Sequence, residues 1–327
     1  MTAALTDGFG RRLEYLRLSV TDRCNFKCSY CLPNGCPDGA AEQPLSLDEI
    51  GRLTRAFASL GFWKVRVTGG EPTLRRDIVE IVERVAGTPG IRRVGLTTNG
   101  YRLAGLAGPL RRAGLSALNV SVDSLDPDRF AQITGHGRLR DVLAGVGAAV
   151  AAGVPSVKVN VVLLRGMSEA ELERFIDLSR HLPVTVRFIE LMRTEDNADF
   201  YARSHLPASQ VVAQLAGRGW RPVPAERGGG VAELHRHPDH PGTLGFIAPY
   251  SKKFCGDCNR LRVSSTGGLK LCLFGDGGVP LRPLLAEDAQ QEALAQRITA
   301  AVRAKPAAHQ LEQGFSGTTT SLASIGG

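Results

Sequence analysis

The sequence predicts an α/β protein, an incomplete six-unit β/α barrel followed by a smaller C-terminal α+β domain that carries a second metal centre. Three observations support that class. Six short runs rich in β-branched residues are each followed by a helix-like segment, the alternation of parallel β/α units. Within the runs one parity is apolar and the other polar, so each strand presents two unlike faces. Six of the seven cysteines fall into two groups of three, one directly after the first run and one around a C-terminal hairpin. With 327 residues, 43% hydrophobic and 22% charged, the chain can bury a core without disulfide staples, which excludes disordered and collagen-like classes.

The six strands are predicted over residues 15–20, 64–68, 93–97, 117–122, 157–162 and 185–189. Between the first two, Ser46 stands three residues before Glu49, a capping box that opens a helix ending at Gly61. Ser168 and Glu171 repeat the device before a helix ending near His181. In the first strand Leu16, Leu18 and Val20 alternate with Arg17, Ser19 and Thr21, and in the second Val65 and Val67 alternate with Arg66 and Thr68. The fourth sets Val120 and Val122 against Asn119, Ser121 and Asp123, and the fifth sets Val157, Val159 and Val161 against Lys158 and Asn160. In the sixth, Arg187 lies between Val186 and Phe188.

The apolar parity has to meet the helices, so the polar parity faces away from them. A doubly wound sheet, covered on both faces, would read as continuous apolar runs. A complete eight-stranded barrel fills its interior with branched apolar side chains. Six strands that turn Arg17, Arg66, Lys158 and Arg187 inward therefore imply an open barrel filled by an anionic ligand, because unpaired buried charge is prohibitive. Structural ion pairs of some of these cations with Asp123 or Glu190 are the competing reading.

After about Met192 the β/α pattern weakens. A Pro/Gly-rich connector over 222–230 divides the chain into a barrel domain of residues 1–230 and a C-terminal domain of residues 231–327. In the latter, runs at 261–263 and 269–273 flank Thr266-Gly267-Gly268 as a hairpin, and residues 283–305 contain one last helix. His235, His237 and His240 stand among prolines and read as a solvated loop.

The formal charge of +8 favours a polyanionic ligand. No run of five basic residues occurs and aromatics are 6%, so neither a basic arm nor a stacking platform for nucleic acid is present. The longest weakly apolar stretch, residues 142–154, is short of the ~20 residues that span a bilayer, and the N-terminal dozen residues lack the apolar segment of a signal peptide. A cytoplasmic protein with no membrane or nucleic-acid partner is expected, and in a reducing compartment its cysteines read as metal ligands or redox groups.

Cys24, Cys28 and Cys31 form a C-x3-C-x2-C cluster on the loop after the first strand, the end of a barrel at which active sites sit. Cys255, Cys258 and Cys272 form a second triad in which the last ligand follows after 13 residues. Three close thiolates need a soft metal centre. Zinc normally takes four protein ligands in a structural site, which leaves a zinc-binding nucleic-acid module as an alternative. A four-iron cubane held by three cysteines keeps one iron open for another ligand. Cys36, five residues after Cys31, lies outside the ligand spacing and reads as a free thiol. Arg260 and Arg262 leave one face of a strand beside the second triad, and the guanidinium fork suits phosphate.

The first cysteine loop, Tyr30 one position before its last cysteine, and Gly69-Gly70-Glu71-Pro72 after the second strand together resemble radical S-adenosylmethionine (SAM) enzymes. With both cysteine spacings, residues 16–23 and 66–72, Thr97-Thr98-Asn99-Gly100, residues 187–192 and the terminal Gly326-Gly327, nearly the whole chain resembles the MoaA family of GTP 3′,8-cyclases. These enzymes begin molybdenum-cofactor biosynthesis. The resemblance implies two [4Fe-4S] clusters, one on Cys24, Cys28 and Cys31 and one on Cys255, Cys258 and Cys272. It also implies SAM contacts from Tyr30, Gly70, Ser121 and Met192, and GTP contacts from Arg17, Arg66, Thr97, Lys158, Arg260 and Arg262, with Arg187 as a further phosphate ligand. The catalytic set it implies is Cys24, Cys28 and Cys31 with the terminal Gly326 and Gly327, which reach the barrel mouth.

The implied reaction converts GTP to (8S)-3′,8-cyclo-7,8-dihydroguanosine 5′-triphosphate with release of 5′-deoxyadenosine and methionine. Implied partners are an electron donor such as flavodoxin or ferredoxin and, downstream in the pathway, cyclic pyranopterin monophosphate synthase (MoaC), with the enzyme a monomer or homodimer. A radical SAM enzyme that uses its second cluster on a peptide or another small molecule is the nearest alternative.

Overall fold

In a computed structural model of the chain, residues 5–36, 43–224, 230–251, 253–275, 277–317 and 323 are described. The β/α alternation runs β1 (Tyr15–Ser19), α1 (Leu47–Ser59), β2 (Lys64–Thr68), α2 (Ile78–Ala86), β3 (Arg93–Thr98), α3 (Leu103–Arg112) and β4 (Ala117–Ser121). It continues through α4 (Pro127–Thr134), α5 (Leu139–Ala151), β5 (Val157–Leu163), α6 (Glu169–His181) and β6 (Thr185–Glu190). Shorter elements follow: α7 (Ala198–Ser204), α8 (Ala208–Leu215), β7 (Arg221–Val223), β8 (Glu233–Arg236), β9 (Thr243–Ile247), α9 (Lys253–Gly256), β10 (Arg260–Val263), β11 (Gly268–Lys270), β12 (Val279–Pro280) and α10 (Gln291–Val302).

The strands form one sheet in the order β12-β11-β10-β1-β2-β3-β4-β5-β6-β9-β8-β7. The six predicted strands lie in sequence order and pair in parallel, and β10 and β9 extend them, also in parallel, at the β1 and β6 edges. The strands after residue 220 therefore add to both edges of the barrel sheet. Because β9 and β10 sit at opposite edges, the segment between them must travel from one edge to the other, and it carries Cys255 and Cys258 with it.

Leu16, Leu18, Val65, Val67, Val120, Val159, Val161, Val186 and Phe188 are fully buried in one apolar core with residues of the helices, such as Leu53, Phe57, Val82, Leu110 and Val146. The capping box at Ser46 is present, with Glu49 N–H donating to Ser46 Oγ and Ser46 N–H donating to Glu49 Oε2. Before α6 only half of that device forms. Ser168 caps Glu171 N–H, but the Glu171 carboxylate turns to Ser124 and Arg129 instead of closing the box.

Two sequence readings change. Residues 222 and 223 of the expected connector belong to β7, paired with β8, while residues 225–229 lie outside the described set. His235 is not in a solvated loop. It belongs to β8, is buried, and sets its ring edge-on against Phe246, because the strand turns it toward the sheet core. His237 and His240 follow that strand, and both pack against Trp220. Among the described residues no helix is long and apolar enough to cross a membrane.

Candidate active site

The polar parity of β1 to β6, joined by β10, lines one cavity, and the register arranges it in rungs. Arg262 of β10, Arg17 of β1, Arg66 of β2 and Gly95 of β3 stand side by side across the sheet. Thr97, Asn119 and Lys158 make a second rung, and Ser121, Asn160 and Arg187 a third. All except Gly95 line the cavity. A Cβ at Gly95 would lie 2.8 Å from the Arg66 guanidinium carbon, so glycine is what lets that side chain lie flat across β3.

Asp123 and Glu190 are committed elsewhere and do not serve as structural partners for these cations. Asp123 accepts from Tyr30 Oη at 2.7 Å and from Val162 N–H at 2.9 Å, while Glu190 pairs with His205 at 2.7 Å. The cations crowd one another as a result. Burial, then the neighbouring Arg187 and Arg66, bring Lys158 down to about 7. Lys64, a cavity residue that the sequence reading missed, is brought to about 8 by burial, opposed by Tyr15 and reinforced by Arg66. Lys64 is hidden in the sequence because it opens β2 beside Trp63 and reads as a strand-end surface lysine. Thr97 Oγ1 and Asn119 Oδ1 are buried on the cavity wall with no hydrogen-bond partner among the described residues, which is costly unless a ligand supplies one.

Cys24, Cys28 and Cys31 open onto this cavity from the loop after β1. The loop is folded by Cys31 N–H and Leu32 N–H, which both donate to Cys28 O at 2.9 Å, and by Phe26, buried against Phe130 and Tyr101. Burial pushes the Cys24 thiol up to about 12 and Cys28 well above its ordinary value, so thiolates here need a strong positive centre. Cys36 is not on the cavity wall. Its sulfur accepts from Cys24 N–H at 3.0 Å and so buttresses the first ligand from the backbone side.

Gly69 and Gly70 pack on the same loop, where a Cβ would meet Thr21 O at 2.4 Å and Arg23 O at 2.3 Å respectively. The next residue, Glu71, is buried and pinned by Thr73, Thr98 Oγ1 and Asn99 N–H, which locks the glycine turn at the ends of β2 and β3. Ser121, Tyr30 and Met192 complete this end of the cavity. Asn197, which no sequence motif flagged, ties the end together: its amide donates to Tyr30 O at 2.9 Å and Met192 O at 3.1 Å.

Cys255, Cys258 and Cys272 reach the same cavity from α9, its following turn and the segment after β11, beside Arg260. Burial raises Cys258, but Arg260 and then Lys305 outweigh it and bring the thiol down to about 7. Lys305 is a second residue missed in the sequence. Its ammonium is buried, donates to Leu271 O and feels the charge of Cys258 and Cys272. Each triad supplies three thiols and no fourth cysteine, the ligand count of a four-iron cluster with one open iron. Gly326 and Gly327 lie outside the described residues.

The Radical SAM superfamily model matches residues 18–179, and Molybdenum Cofactor Synthesis C matches residues 184–311. A GTP 3′,8-cyclase of Stenotrophomonas maltophilia (strain K279a) is 54% identical over 99% of both chains. One of Cronobacter sakazakii (strain ATCC BAA-894) is 51% identical over 100% of both. Among solved structures, Streptococcus suis SuiB bound to precursor peptide SuiA matches 89% of this chain and 67% of its own with a TM-score of 0.64 at 13% identity, a likeness of fold alone. Identity above half across the full length, with both family models in their expected order, places the chain in the GTP 3′,8-cyclase family of radical SAM enzymes.

Proposed function

We propose that this chain is a GTP 3′,8-cyclase whose single cavity holds SAM at the Cys24–Cys28–Cys31 end and GTP between the barrel cations and the Cys255–Cys258–Cys272 end. The observation that carries the reading is that the two cysteine triads, the four barrel cations read as inward from sequence, and Arg260 and Arg262 all open onto one cavity.

The residues suggest a division of labour. Gly70, Ser121, Tyr30 and Met192 bind SAM against the first cluster, with Asn197 holding the last two in place. Arg17, Arg66, Lys158, Arg187, Arg260 and Arg262, with Lys64, hold the triphosphate, and Thr97 orients the nucleotide. Cys255, Cys258 and Cys272 would hold the second cluster, which would supply an anchoring site for the guanine. Cys24, Cys28 and Cys31 would hold the first cluster, which when bound would supply the electron for reductive cleavage of SAM and so for loss of the hydrogen at ribose carbon 3′ and bonding of that carbon to guanine carbon 8, a second electron from the external donor and a proton completing the dihydro product. The chain itself fixes the distance between the two substrates and keeps water from the radical path, because neither can shift once its charged end is pinned.

In this reading residues 1–230 supply the SAM site and residues 231–327 the second cluster and part of the GTP site. Gly326 and Gly327 serve productive radical transfer, a flavodoxin or ferredoxin supplies electrons in the cytoplasm, and the product passes to MoaC. The test is anaerobic incubation of the reconstituted protein with SAM, a reductant and either GTP or a peptide panel. Cyclised GTP is expected; turnover confined to a peptide would replace this reading with the SuiB-like alternative.

A further inference from the structure

The turn before β1 has no part in the reaction just described, yet it ends on the second cysteine triad. Asp7 is buried and folds the turn, accepting from Phe9 N–H at 2.9 Å and Arg11 N–H at 3.0 Å. Its other oxygen takes Arg11 Nε–H at 2.6 Å, which aims the rest of the guanidinium away from the turn. Arg11 Nη1 donates to Cys255 O at 2.9 Å and to Ala307 O at 2.7 Å, and Nη2 donates to Pro306 O at 2.6 Å. One side chain, 9% exposed, thus joins segments 244 and 296 residues away in the chain. The segment it holds after α10 reaches the other arm of the triad. Lys305 is buried and donates to Leu271 O, in the residue before Cys272. His309 sets its ring against Phe254, the residue before Cys255, and edge-on against Phe274, two residues after Cys272.

We propose that Arg11 is a positioning residue of the second cluster: aimed by Asp7, it clasps Cys255 to residues 305–309, which hold the arm that carries Cys272, and so fixes the spacing of the triad from behind.

The inference rests on the assignment of a cluster to Cys255, Cys258 and Cys272. The two triads are built differently, and the difference gives Arg11 its task. Cys24 and Cys31 are seven positions apart on one loop that folds on its own backbone, with Cys31 N–H and Leu32 N–H on Cys28 O. Cys255 and Cys272 are seventeen apart, with β10 and β11 between them. Cys258 N–H closes on Cys255 O at 3.2 Å, which sets the first two ligands relative to each other but leaves the third to contacts made elsewhere. A site with three cysteines has no spare ligand to absorb an error in that spacing. A guanidinium suits the work, because its planar fork reaches several carbonyls in fixed directions and stays charged at every working pH. Partners that orient a ligand from behind are worth about ten- to a hundredfold in metal affinity.

The test places Arg11→Ala in two full-length backgrounds: Cys24→Ala, in which only the second triad is complete, and Cys258→Ala, in which only the first is. After anaerobic reconstitution, loss of iron to a coloured chelator is followed in each. In the Cys24→Ala protein Arg11→Ala should speed the loss about ten- to a hundredfold. Arg11→Lys should do nearly the same, because one ammonium cannot span the carbonyls of Cys255, Pro306 and Ala307 together. Free guanidinium ion, well below denaturing concentration, should slow the loss again in Arg11→Ala. In the Cys258→Ala background the rate should not change. Where Arg11→Ala yields no folded protein, Asp7→Asn should give a smaller acceleration confined to the second triad. Unchanged iron loss in the Cys24→Ala background would overturn the proposal, and so would an equal acceleration in both backgrounds, which marks a general loosening of the chain. A Cys24→Ala protein that takes up no iron with Arg11 in place would instead overturn the cluster assignment, and the clasp with it.

Discussion

Gly95→Ala is a substitution that sequence alone would pass as harmless or stabilising, since glycine within a strand is worth roughly 0.5–1 kcal/mol less than alanine. The structure reverses that expectation for function. The new methyl would lie 2.8 Å from Arg66 Cζ and 2.9 and 3.0 Å from its terminal nitrogens, well inside ordinary contact. Arg66 would have to leave its bonds to Tyr15 Oη at 2.8 Å and Leu96 O at 2.9 Å, the two that aim it into the cavity. Losing one charge-assisted bond to phosphate costs roughly 1.5–3 kcal/mol. GTP affinity should therefore fall about ten- to a hundredfold, with SAM affinity and thermal stability close to wild type. Calorimetric binding of each ligand to the reconstituted protein reads this directly. In an Arg66→Ala background the same glycine change should cost nothing further, because the clash is gone. Unchanged GTP binding in the single variant, or an equal loss in both backgrounds, would refute the reasoning.

The other predictions concern the two cysteine triads, the lysines and the tail. Cys28→Ala should abolish reductive SAM cleavage, whereas Cys258→Ala should leave some 5′-deoxyadenosine but no cyclised product; product analysis of both variants checks this, and wild-type product from Cys258→Ala would remove the guanine anchor. Lys158 at about 7 and Lys64 at about 8 are charged below those values and lose their protons as pH rises through them. GTP must then restore those protons, so its affinity should weaken from pH ~7 upward, and Lys158→Arg, which stays charged, should flatten part of that slope. An identical slope in both proteins would count against the lysine's place in the phosphate site. Deleting Gly326 and Gly327 should keep iron content and SAM cleavage while lowering the ratio of cyclised product to 5′-deoxyadenosine; an unchanged ratio would make the tail a frayed end.

Strand parity made the cation wall legible before any coordinates, because alternation assigns side chains to faces without reference to distant residues. Arg17, Arg66, Lys158 and Arg187 all line the cavity on that ground. The cysteine triads were legible from spacing. Parity could not say that β10 would dock beside β1 and set Arg262 next to Arg17, since that pairing joins segments more than two hundred residues apart. Lys305 and Asn197 were hidden for the same reason: each acts through contacts with backbone far away in the chain, Leu271 O in one case and Tyr30 O in the other. His235 misled because a strand of four residues between proline-rich turns carries too little periodicity to be recognised.

The most direct test follows one hydrogen. The account has a single cavity in which the 5′ carbon derived from SAM faces ribose carbon 3′ of GTP. Reconstituted protein given SAM, a reductant and GTP deuterated at carbon 3′ should yield 5′-deoxyadenosine carrying one deuterium and a cyclised nucleotide that has lost it. Unlabelled 5′-deoxyadenosine formed alongside unreacted GTP would contradict the account.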